Sequence, residues 1–218
     1  MLPGFCIAGG LGGGPATITY AGAITVSDTS SPVDFASVPI GTASSTRYVA
    51  FAIAMGAGGG LTVTSVTVAG QATTLAVNSL TSSVFSIVGI TSAPVTSGTT
   101  ATISVTASGG LISGSHVVQA FAIEGLNSVT ATDIDSTVTS GATLNVDIAA
   151  GGVGIGYYTN TGTGNSMTWS AGITEDAETA SSNVELSVGH MTSVSAQTVA
   201  VTASASAGTS RWGVVTYR

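Results

Sequence analysis

The sequence predicts an all-β protein, an antiparallel β-sandwich of the jelly-roll or immunoglobulin-like kind with almost no helix. Three observations carry this. Short stretches alternate apolar and small polar residues with a period of two, as a half-buried strand requires. Turn residues recur about every ten positions, the spacing of a sandwich or barrel and not of a βαβ chain. Strong helix formers are scarce, with no lysine, four glutamates and Thr and Val throughout.

The alternation places individual side chains. In 47–55, Val49, Phe51, Ile53 and Met55 share one face and Ala50, Ala52 and Ala54 the other. In 99–106, Ile103 and Val105 oppose Thr102, Ser104 and Thr106. In 142–148, Leu144, Val146 and Ile148 oppose Asn145 and Asp147, and in 184–190, Val184, Leu186 and Val188 oppose Glu185 and Ser187. Further strands are predicted near 17–26, 61–69, 72–78, 84–91, 116–123, 152–158, 166–173, 197–205 and 211–217. The breaks between them fall at Gly56–Gly60, Ala69-Gly70, Ser97-Gly98, Gly109-Gly110, Ser140-Gly141, Gly151-Gly152 and Ala207-Gly208.

Residues 1–15 read as a glycine-rich arm and 16–218 as one sandwich domain, a split near 125–140 being the alternative. The arm lacks the basic start and long apolar core of a signal peptide, so no targeting segment is expected. No apolar run approaches the roughly 20 residues of a membrane-spanning helix, and sparse aromatics argue against a membrane barrel, so no membrane insertion is expected.

Charge narrows the function. Only 6% of residues are charged, against roughly a quarter in an ordinary soluble domain. Mean hydropathy is +0.54, which argues for a folded chain. The basic side chains are Arg47, Arg211 and Arg218, and the net charge is -7, so no basic patch for phosphate can assemble and nucleic acid is excluded as a partner. A surface of hydroxyls in place of ions is weakly hydrated and prone to association, which points to burial against partners, with a secreted and chemically inert protein as the alternative.

Side chains that could carry chemistry are few. Cys6 is alone, which excludes an intrachain disulfide and leaves it a small apolar residue or a cross-link to a neighbouring copy. His116 and His190 have no Cys or second His at metal-ligand spacing and read as structural. Neither Gly164-Asn-Ser-Met nor Gly208-Thr-Ser-Arg completes a nucleophile elbow, and a P-loop would need a lysine. Asp133 with Asp135, and Glu175, Asp176 and Glu178 in a predicted loop, could offer oxygens to Ca²⁺, or be solvated acids. Trp169, Trp212 and Tyr158 are the candidate ligand residues, as aromatic platforms for a sugar ring, with core packing as the plainer role. No catalytic residue, cofactor or resident metal is expected, and the chain reads as a non-enzyme.

Three segments carry a resemblance. The first is Gly41-Thr-Ala-Ser-Ser-Thr-Arg47 running into Tyr48-Val-Ala-Phe-Ala-Ile53. The second is Val66-Thr-Val-Ala-Gly-Gln-Ala-Thr-Thr-Leu75, and the third is the closing Trp212-Gly-Val-Val-Thr-Tyr217. With these, the stretch from about Arg47 to Arg218 resembles β-sandwich virion proteins of tailed bacteriophages. The resemblance implies a capsid decoration, head-fibre or tail-fibre protein at the particle surface, with the major capsid or tail protein as partner. It also implies many copies, and burial of the weakly hydrated surface predicts a symmetric homo-oligomer, a trimer first. Similar sandwiches occur in extracellular and cell-surface proteins, where a carbohydrate-binding or adhesive module recognising a host-surface glycan is the alternative.

Overall fold

The computed structural model describes residues 14–81, 83–170, 172–206 and 210–218. Most of the predicted arm, with Cys6, and the Ala207-Gly208 turn lie outside the described residues. Among the described residues there is no helix. The strands are β1 (Thr17–Val26), β2 (Val33–Pro39), β3 (Tyr48–Ala57), β4 (Thr62–Val68), β5 (Gln71–Thr81), β6 (Val84–Thr91), β7 (Thr100–Ser108) and β8 (Leu111–Glu124). They continue as β9 (Asp133–Thr137), β10 (Thr143–Ile148), β11 (Val153–Thr161), β12 (Met167–Trp169), β13 (Thr174–Ser181), β14 (Val184–Thr192), β15 (Gln197–Ala205) and β16 (Ser210–Tyr217).

These strands form antiparallel sheets stacked in a sandwich-like order. The first eight make one sheet, β1-β8-β3-β6-β5-β4-β7-β2. It curls until its two end strands meet: a Cβ added at Gly22 of β1 would lie 2.8 Å from the Pro39 ring of β2. The result is a nearly closed barrel, which the expectation of a plain sandwich did not include. The later strands form a five-stranded sheet, β13-β14-β11-β16-β9, and a three-stranded sheet, β10-β15-β12.

Three cores hold the layers together. The barrel interior is filled by Val49, Phe51, Ile53 and Met55 of β3, with Phe35, Ile87, Ile103 and Val118 among their neighbours. The opposite face of β3, Ala50, Ala52 and Ala54, packs with Val88, Phe121 and Ile123 against Ile155, Tyr157, Leu186, Val188 and Val215 of the five-stranded sheet. On its far side that sheet presents Tyr158, Met191, Trp212 and Val214 to Leu144, Val146, Ile148, Met167 and Val201. The small alanine face of β3 is therefore an inter-layer contact, and period-two alternation sorts one strand between two cores.

This layering corrects one expectation. The alternation at 184–190 predicts a half-buried strand, with Glu185 and Ser187 opposite Leu186, yet both of these are buried as well. β14 lies in the middle layer, so the three-stranded sheet covers the face that a two-layer sandwich would leave wet. Polar links cross from the barrel to the middle layer as well: Gln119 Nε2 donates to the Leu186 carbonyl at 2.7 Å, and the Ser86 and Thr159 hydroxyls meet at 2.6 Å. Each satisfies groups that would be costly to bury alone.

Candidate functional site

The aromatic residues proposed as ligand platforms converge, but inside the molecule. Tyr158 and Trp212 are cross-strand partners on β11 and β16, and both are fully buried. The Trp212 indole N–H donates to the Thr139 carbonyl at 3.0 Å, and its ring stands edge-to-face with Trp169, centroids 6.2 Å apart. Neither Tyr158 nor Trp212 offers a ring face to solvent, so the stacking role does not hold for them in the structure. Trp169 on β12 is half-buried, with its N–H donating to Ser187 Oγ at 2.7 Å. A Cβ added at Gly156 would lie within 3 Å of the Trp169 ring, so the absence of a side chain there lets the indole pack against β11.

Beside Trp169 the same face of β13 and β14 collects carboxyl groups. Glu178 Oε2 accepts the Met167 N–H at 3.3 Å, and the buried Glu185 accepts the Asn165 N–H at 3.2 Å through Oε2. Ser187 Oγ lies 3.5 Å from Glu175 Oε1. Burial, with the neighbouring Glu185 and Glu175, pushes the Glu178 carboxyl above its ordinary range, although the Met167 N–H pulls the other way. The predicted loop 174–179 is in fact part of strand β13, with a bulge between Glu175 and Ala177. Sequence reasoning missed it because three acids in four residues break the apolar alternation.

In the second acid pair, Asp133 is committed to the scaffold. Asp133 on β9 accepts the Ile134 N–H at 2.8 Å through Oδ1 and the Asp147 N–H at 2.7 Å through Oδ2, tying β9 to β10. Among the described residues, no group of three or more His, Cys, Asp or Glu side chains is placed to hold a metal ion.

The two histidines occupy contrasting environments. His190 Nδ1 lies 2.8 Å from an Asp176 carboxylate oxygen, and that hydrogen bond raises its pKa. His190 lines a cleft of about 280 Å³ together with Thr174 and Thr192. His116 is fully buried, and desolvation lowers its pKa.

Arg47 is the residue whose importance the sequence hides. Its side chain is fully buried, and all five N–H donors are engaged by backbone carbonyls. Nε and Nη2 donate to Val95 at 3.1 and 2.7 Å, Nη2 also to Ser97 at 2.9 Å, and Nη1 to Gly41 and Gly98 at 2.7 and 3.0 Å. The guanidinium thus joins the chain entering β3 to the loop before β7. Burial lowers its pKa while Glu124 acts to raise it. A lone arginine in a long uncharged stretch was the available signal.

The architecture defines the class, an all-β, sandwich-like antiparallel protein. No family model, curated protein or solved structure matches the chain.

Proposed function

We propose that this chain is a non-enzymatic structural protein of a virion, of the capsid decoration or head-fibre type, docking on the particle surface. One observation carries the reading: the side chains best suited to chemistry serve the scaffold, while the remaining surface is dominated by hydroxyls. Arg47 binds carbonyls, Trp212 and Tyr158 fill a core, and Asp133 ties two strands together. The resemblance of the segments at Arg47, Val66 and Trp212 supplies the virion context. The mechanism is burial of weakly hydrated surface in repeated contacts, each of standard interface size, about 1,600 Å² or more.

Immunogold labelling of intact particles with antibody raised against the purified chain tests this. Regular decoration of heads, with binding to particles that persists in 1 M salt as expected where few ions take part, supports it. Unlabelled particles, together with a purified protein that stays monomeric, would overturn it.

A further inference from the structure

The barrel closes at a seam between β1 and β2, and no ladder of backbone hydrogen bonds joins these end strands. Residues 27–32 connect them across one end. That connection is pinned at three points. Ser27 Oγ donates to the Gly114 carbonyl at 3.0 Å, Ser31 Oγ accepts the Ala107 N–H at 2.9 Å, and His116 Nε2 lies 2.7 Å from the Asp28 carbonyl oxygen.

The third pin differs from the others because it titrates. A carbonyl only accepts, so His116 Nε2 carries the proton, and the neutral ring leaves Nδ1 bare. His116 Nδ1 is buried and has no hydrogen-bond partner. On β8 it occupies the register position between Val26 of β1 and Met55 of β3, both apolar. Among the described residues the one charge acting on the ring is the Asp28 carboxylate, which is itself engaged by the N–H and hydroxyl of Ser30. A second ring proton would thus create a buried cation with an N–H facing no acceptor, a state the fold resists.

We propose that His116 is an acid-sensitive pin: protonation drives the ring toward water, breaks its bond to Asp28 and releases the β1–β2 connection from the barrel. The sign follows from the lowered pKa of His116. A pKa below the unfolded value of about 6.5 means stability that is full above that value and is lost as pH falls through the folded pKa. The inference is independent of the virion reading.

The test is a proton NMR titration of both imidazoles, with amide hydrogen exchange followed from pH 7.5 to 5. The His116 Cε1–H resonance is expected to move with a midpoint below 6.5 and that of His190, held by Asp176, above it. The Ala107 amide should lose protection by up to roughly tenfold per pH unit, as a one-proton opening requires. In His116→Gln, which can still donate to Asp28 but cannot take up a proton, that dependence should be flat. A His116 midpoint at or above 6.5, or Ala107 protection that does not change with pH in the wild type, overturns the proposal. So does a His116→Gln variant with the wild-type profile. The wild-type titration decides if the variant fails to fold.

Discussion

Arg47 shows how much one residue can carry in a chain with so few charges. Its guanidinium matches several carbonyls at once because its donors are fixed in a planar fork, whereas an ammonium has three donors and a point charge. Arg47→Lys should therefore leave buried carbonyls without partners and lower stability by roughly 2–4 kcal/mol. Urea unfolding monitored by tryptophan fluorescence would show this as an earlier midpoint with unchanged slope. A midpoint equal to that of the wild type would mean water replaces the lost donors at no cost. The burial of Trp212 belongs to the same scale. Its identity marks it as either platform or core, and the core formed by β10, β12 and β15 decides between them.

At the scale of elements, the β4–β5 hairpin shows local sequence and geometry in partial conflict. Val68 pairs with Gln71, leaving a two-residue loop in which Ala69 and Gly70 have φ of 51° and 77°. Both angles are positive, the type I′ pattern, which Gly accepts and which strains a Cβ-bearing residue. Ala69→Asn should stabilise the fold by about 0.5–1 kcal/mol, seen as a rise of roughly 2 °C in Tm. An unchanged or lower Tm would show that the turn is not limiting. Several strands were legible because their alternation is regular: β1, β6 and β15 fall on the predicted bounds. β2, β9 and β13 were not. β2 carries a bulge between Phe35 and Val38, with Ser37 at a φ of 58°, while β9 and β13 place acids at the strand edge. Of the predicted strand at 166–173, Met167–Trp169 is strand among the described residues.

For the whole molecule, the positions of the charges matter more than their number. Seven of the ten acids lie on end strands of the sheets: Asp34 on β2, Asp133 and Asp135 on β9, Asp147 on β10, and Glu175, Asp176 and Glu178 on β13. Exposed edges offer unpaired backbone groups to other chains, and like charges along them discourage that pairing. Of these acids, those of β13 stand on an end strand where unwanted association can start, while Asp133 holds β9 to β10 and β2 closes the barrel against β1. The combined variant Glu175→Gln and Glu178→Gln changes the net charge from -7 to -5. It should form concentration-dependent larger species at pH 7, detected by size-exclusion chromatography with light scattering. Elution identical to the wild type would show that strand twist and bulges alone protect the edges.

The sequence by itself determined the all-β class, the inward side of most strands and the shortage of chemistry-bearing residues, because period-two alternation and composition are local properties. Only the tertiary structure decided that the first eight strands curl into a barrel and that a second sheet is buried on both faces. It also decided that Glu185, Trp212 and Tyr158 lie beneath a third sheet. A strand's alternation reports which side chains share a face and cannot report what covers that face. Burial of the second face depends on contacts between distant segments, such as Gln119 with Leu186 and Ser86 with Thr159.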